Sequence, residues 1–157
     1  MTLSDYFVLV DLQQIRLLSE VHRWPPSDAV IQANVELKLS PTERSADPDG
    51  SPFCILADVV LGGHTQAEGE SSPGAVFTLE LKVMARYRQF QGDPLSFEQF
   101  CEHHGSLARQ LYPVLQTQLM SQLRAAGFGH VHLPMDLAHT QVLTAEQDGG
   151  SMGHQVH

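Results

Sequence analysis

The sequence predicts an α+β domain: an antiparallel sheet followed by C-terminal helices. Two observations carry this. Residues 31–40 alternate without a break, Ile31, Ala33, Val35, Leu37 and Leu39 against Gln32, Asn34, Glu36, Lys38 and Ser40, and a period of two puts one set on a buried face. In the C-terminal third the period changes to three and four, which is the spacing of an amphipathic helix.

Length and composition set the frame. A chain of 157 residues with 42% hydrophobic content is one domain that buries roughly 68–70% of its unfolded surface. Twice as many Asp and Glu as Lys and Arg, 18 against 9, give a net charge of −9. That balance disfavours a nucleic-acid partner, because phosphate contacts need a basic surface. No apolar run approaches the roughly 20 residues of a membrane span. The early run at residues 6–10 stops at Asp11 and has no basic residue before it, so neither a signal peptide nor a membrane segment is expected. Two cysteines, Cys54 and Cys101, make no disulfide framework and fit a reducing compartment, the cytoplasm.

In chain order, residues 6–21 alternate imperfectly, as a strand or as a short helix followed by a strand. Trp24-Pro25-Pro26-Ser27 ends this segment, since two prolines remove two ladder donors. The strand at 31–40 comes next. Residues 41–52 are polar, with a turn signal at Asp47-Pro48-Asp49-Gly50. Residues 53–61 form a second strand, apolar except at Asp58, which is expected to be paired across the sheet. After a Gly- and Ser-rich connection at 62–74, residues 76–90 form a third, with Phe77, Leu79, Leu81, Val83 and Ala85 on one side. Three strands with polar connections make an antiparallel meander, and the first segment is a candidate fourth strand.

Gly92-Asp93-Pro94 breaks the last strand. Ser96-Phe97-Glu98-Gln99 has the form of a capping box and opens a short helix to His104, ended by Gly105. A second helix is expected to begin at Pro113, whose missing N–H suits a first turn. Val114, Leu115, Gln118, Leu119, Gln122 and Leu123 succeed it at helical spacing, and Gly127 supplies a left-handed stop. Residues 128–137 read as an extended apolar tail, with Val131 and Leu133 alternating against His130 and His132. Residues 140–157 are Gly-rich and aperiodic, a flexible C-terminal tail, which leaves 1–139 as the folded domain.

Catalytic motifs are missing from the chain: it has no nucleophile elbow, phosphate loop, dinucleotide fingerprint or His-Glu-x-x-His. Nine histidines invite a metal reading, and Cys101, His103 and His104 are near neighbours. A zinc site wants three or four convergent ligands, and neither this group nor His130 with His132 shows obvious others. A small metal-dependent hydrolase built on Cys101, His103 and His104 is the alternative from another class; otherwise no metal, cofactor or catalytic residue is expected. Glu36 and Glu80 on polar strand faces read as a solvated surface rather than an acid–base pair. The unusual feature is apolar surface in excess of what one helix layer covers, Cys54, Leu56, Val60, Val76 and Met84 on second faces. Such a surplus implies self-association or an apolar ligand.

Several segments, in order, resemble the SecB family of export chaperones. Gln14-Ile15-Arg16, with Pro25 nine residues on, is similar to its first strand and proline break. Val35-Glu36-Leu37-Lys38-Leu39 resembles its second strand, and Val76-Phe77-Thr78-Leu79-Glu80-Leu81 its fourth. Leu111-Tyr112-Pro113, a dozen helical residues, then Phe128 and Val131-His132-Leu133-Pro134-Met135-Asp136 resemble its aromatic-proline helix start and extended C-terminal segment. The likeness spans residues 12–138.

The resemblance implies a four-stranded antiparallel sheet with two C-terminal helices packed on one face, assembled as a dimer of dimers, a homotetramer. It implies an ATP-independent holdase, not an enzyme, that keeps unfolded or precursor polypeptides in apolar grooves for export and hands them to the SecA motor. Groove-lining residues are expected to be Val35, Leu37, Phe53, Leu119, Leu123, Phe128 and Leu133, and Glu80 stands where the family docks its motor. The sequence departs from the family at Arg23, where an acidic residue is the pattern, and in its Gly- and His-containing tail. Some SecB-like proteins instead guard one partner such as an antitoxin, the second form of the same expectation.

Overall fold

The computed structural model describes residues 2–26, 29–43, 53–65, 74–133 and 141–144. The turn signal at 47–50 and residues 145–157 of the tail lie outside them. Four long strands, β1 (Phe7–Val21), β2 (Ile31–Glu43), β3 (Phe53–Thr65) and β4 (Gly74–Gln89), are followed by α1 (Phe97–His103), α2 (Ala108–Ala125) and a short β5 (Gln141–Thr144). The sheet order is β1-β4-β3-β2-β5. All neighbours are antiparallel except β5, which runs parallel to β2. The four-stranded antiparallel sheet and its helices are as the sequence predicts. The fifth strand is not: it forms inside the stretch expected to be a flexible tail.

Alternation decides which face is covered. Val35, Leu37 and Leu39 of β2, Ile55, Ala57, Val59 and Leu61 of β3, and Leu79, Leu81, Val83 and Ala85 of β4 share one buried cluster with Leu107, Leu111, Leu115, Leu119 and Leu123. The leucines recur every four residues, so they form one stripe along the helical segment. That stripe starts before Pro113, and this explains a difference from expectation. The helix begins at Ala108, with Pro113 inside it. Burial of Leu111 and Tyr112 carries the helix back across a proline that forfeits one intrahelical bond.

Gly105 likewise does not end the first helix. Residues His104–Leu107 continue as a 3₁₀ turn into α2. Ser106 Oγ accepts the Leu3 N–H at 2.9 Å and donates to the His103 carbonyl at 2.7 Å, tying the chain's start to this turn. The capping box at Ser96 and Gln99 is present, each side chain bonded to the other's backbone N–H. At the far end Gly127 has φ +90°. Its N–H reaches the Arg124 carbonyl at 3.1 Å and the Phe128 N–H the Leu123 carbonyl at 2.7 Å, the paired bonds of a Schellman cap.

Strand ends also outrun their sequence signals. β2 runs through Pro41 to Glu43, tolerable because Pro41 lies beyond the four residues of β2 that β5 pairs, where the outer edge needs no ladder donor. β3 continues through Gly62 and Gly63 to Thr65. At Gly63 the Phe77 ring lies where a side chain would be, 2.2 Å from a Cβ. Glycine there admits a close approach rather than a turn.

Candidate functional site

Two aromatic groups mark opposite ends of the helix-covered face. Phe7, Phe53 and Phe100 meet with ring centroids 4.9–5.2 Å apart at the α1 end. Trp24, Phe128 and Phe77 do so at the α2 end: Trp24 stacks on Phe128 at 5.0 Å, and Phe128 meets Phe77 at 4.8 Å. Phe128 is placed by the Schellman cap and fully buried, whereas Trp24 is 68% exposed. The second group is therefore the floor and lip of an opening rather than a closed core.

From that lip, linked clefts flank the extended residues 128–133. The first, about 180 Å³, is bounded by Trp24, Pro25, Ile31, Gly127, Phe128 and His130. The second, about 470 Å³, lies between the start of β2, from Ala29 to Asn34, and His130, Val131 and His132. The third, about 750 Å³, runs along α2, bounded by Gln116, Thr117, Met120, Arg124, His132 and Leu133. His130 borders the first and second clefts and His132 the second and third, so the three follow one another along residues 128–133. Val30 on its rim is 74% exposed. Among the described residues, none that lines these clefts is Asp or Glu, although the whole chain is strongly acidic. An open trough with apolar patches and exposed imidazole and amide groups suits an extended chain bearing apolar side chains. Small-molecule pockets enclose their ligand instead.

Of the seven residues expected to line a groove, six are buried within the subunit. Val35, Leu37, Leu119, Leu123 and Phe128 are buried in the subunit's own core. Phe53 belongs to the aromatic group at the other end of β3, ten residues from Gly63, about 33 Å along the strand. Two of the seven, Phe128 and Leu133, are buried yet also border clefts, the first and the third. The reason is geometric. The stripe with the strongest apolar periodicity is the one the sheet covers. The trough is walled by the neighbouring row of α2, Gln116, Met120 and Arg124, also one turn apart. Only Trp24 beside two prolines offered a sequence signal for the lip.

Glu80 lies on the sheet's other face, 3.2 Å from the Arg16 guanidinium. Asp58 stands between Lys38 of β2 and Lys82 of β4 in the strand register, the cross-sheet placement expected of it. Burial raises its carboxyl pKa above the ordinary value, and the neighbouring Glu80 carboxyl pushes the same way, against Lys82 and Arg16. Arg23, at the position where the family carries an acid, donates to Thr65 Oγ1. Cys101, His103 and His104 do not converge: His104 is buried and its Nδ1 meets the Cys101 carbonyl at 2.6 Å, while His103 lies 3.9 Å from Glu102. Among the described residues no three His, Cys, Asp or Glu side chains are grouped to hold a metal. No described helix is long and apolar enough to cross a membrane.

A four-stranded antiparallel sheet with a short and a long C-terminal helix on one face is the fold of the SecB-like chaperones. No family model matches this sequence, and no curated protein is significantly similar to it. Among solved structures, the chain is similar to the Rv1957 SecB-like chaperone of Mycobacterium tuberculosis, solved in complex with a ChAD peptide from the Rv1956 HigA1 antitoxin. The two share 17% identity at a TM-score of 0.57, over 85% of this chain and 93% of that one.

Proposed function

We propose that this protein is an ATP-independent holdase that captures non-native polypeptides in the trough between the start of β2, residues 128–133 and α2. The observation that carries the reading is that trough: a linked, open, partly apolar course beside a strand edge, in a SecB-like fold. Each client side chain buried there gains roughly 1.5–3 kcal/mol if fully covered. Backbone pairing along a strand edge adds affinity that ignores sequence. The client-contacting set is Trp24, Val30, Met120 and Leu133, with the buried leucines as the wall behind them.

A narrower form has its own support. The similar SecB-like chaperone was solved with an antitoxin peptide, and a dedicated chaperone of one such partner uses the same trough. Glu80, already engaged by Arg16, is a weakened candidate for docking an export motor, so the narrower form also fits the charge arrangement better. Both forms imply a cytoplasmic protein with reduced cysteines, and self-association into a dimer of dimers through β1 and the helices.

Aggregation assays on several unrelated unfolded proteins test the reading. Suppression of most of them supports the general holdase, and suppression of one supports the dedicated form. A Met120→Glu, Leu133→Glu double variant that folds normally and protects as well as the parent removes the trough from the mechanism.

A further inference from the structure

The outer edge of β2 is occupied by the chain's own C-terminal strand. Gln141, Val142, Leu143 and Thr144 stand opposite Glu36, Leu37, Lys38 and Leu39 in parallel register. The rest of the β2 edge continues into the trough: Ile31 to Asn34, immediately before this pairing, wall the cleft shared with His130 and His132. The chain leaves the trough at Leu133 and returns to this edge after seven intervening residues.

That strand is a poor permanent fixture. It pairs with β2 alone over four residues, and parallel pairing is slightly weaker per residue than antiparallel. Short edge elements open at far lower free energy than core strands. It also resembles a ligand in composition: Gln-Val-Leu-Thr is uncharged, and no Lys or Arg occurs after Arg124 in the sequence.

We propose that the β2 edge at Glu36–Leu39 is the strand-accepting part of the client site, which takes an extended polypeptide segment parallel to β2, and that Gln141–Thr144 is a built-in competitor the client displaces. The inference rests on the holdase reading. The occupant is an uncharged, apolar-containing extended segment, because the one segment seen on this edge has that character and direction. A strand tethered by so short a connection has an effective concentration of millimolar order. The open edge is then a minor state held by about a tenth of the molecules, the upper end of the range for such states. Apparent client affinity is then reduced about tenfold.

The test compares three chains: the full protein, a variant ending at Thr140, and full-length Leu143→Pro, which removes a ladder donor without shortening the chain. The probe is a fluorescein-labelled, reduced and carboxymethylated lactalbumin, which stays unfolded. Both variants are expected to bind it about tenfold more tightly than the full protein. A synthetic peptide of residues 138–147 at millimolar concentration should reverse the gain in the truncated chain and slow amide exchange at residues 36–39. Equal affinity in all three chains, or weaker binding by the variants, overturns the competitor while leaving the holdase intact. No slowing of exchange by the peptide overturns the strand-accepting edge. Binding by none of the three sinks the holdase reading and this inference with it.

Discussion

Strands β1 and β3 belong to one sheet and are of similar length, 15 and 13 residues, yet the rest of the chain treats them oppositely. Along β3 nearly every second side chain is buried, and the helices lie over that face. Along β1 only Phe7 is buried, while Val8, Val10, Ile15, Leu18 and Val21 are exposed. β3 is paired on both sides; β1 is paired with β4 on one side only. A long edge strand with exposed apolar side chains normally carries charges or irregularities that discourage open-ended pairing. β1 has both. Its register against β4 shifts between Leu9 and Asp11 and between Gln14 and Arg16, and Arg86 of β4 grips Asp11 at 2.6 Å. The contrast teaches that the chain spends its helices on the middle of the sheet and leaves much of β1 uncovered within the subunit.

The sharpest way to break that comparison is to shorten one isoleucine in each strand. Ile55→Ala in β3 removes a fully buried side chain and is expected to cost about 2–5 kcal/mol, read as a loss of about 5–20 °C in Tm. Ile15→Ala in β1, where the side chain is 51% exposed, should stay within about 0.5 kcal/mol for the isolated subunit. Comparable losses at both sites would mean that β1 is covered within the subunit.

Gly63→Ala in β3 is the next largest effect. A Cβ there meets three atoms of the Phe77 ring within 2.7 Å, and Phe77 supports Phe128 beneath the trough. The ring is forced aside at a cost of about 1–3 kcal/mol, and probe binding should weaken because the floor moves. Retained stability with unchanged near-UV dichroism would contradict this packing. In β1 the matching perturbation is Ile15→Lys with Leu18→Lys. Both side chains are exposed, so subunit stability should change by less than about 0.5 kcal/mol while sedimentation shifts to a smaller species. An unchanged sedimentation coefficient would show that β1 is not the interface.

The same two strands explain what was legible. β2 and most of β4 alternate, so a period of two found them and their buried faces, whereas β3 was legible only as a continuous apolar run broken at Asp58. β1 inserts Val10 and Ile15 as extra residues at its two register shifts, and each insertion swaps the faces of the residues after it. Its alternation therefore looks imperfect in one dimension although the strand is continuous. The trough was unreadable for a related reason. Periodicity reports the side chains that the fold itself buries, Leu119 and Leu123, and is silent about the adjacent row of Gln116, Met120 and Arg124. β5 gave no signal because a four-residue parallel edge strand depends on a distant partner and not on local pattern.

The smallest effect falls where the two strands act on one group. Asp58 of β3 lies beside the Glu80 carboxyl, which in turn holds Arg16 of β1 at 3.2 Å. Burial and Glu80 raise the Asp58 pKa in the folded chain above its ordinary 3.8. The folded state thus binds this proton more tightly than the unfolded state, so the group's contribution to stability is complete below that value. It is lost as pH rises through the raised folded value. Asp58→Asn keeps a neutral hydrogen-bonding group beside Glu80 and removes the titration. Urea midpoints of parent and variant should run parallel below pH 3.8 and diverge as pH rises, with the variant the more stable at neutral pH. If the parent gains on the variant with rising pH, then Arg16 and Lys82 outweigh burial. β1 would in that case stabilise the sheet centre through charge, and the two strands would be less independent than their burial suggests.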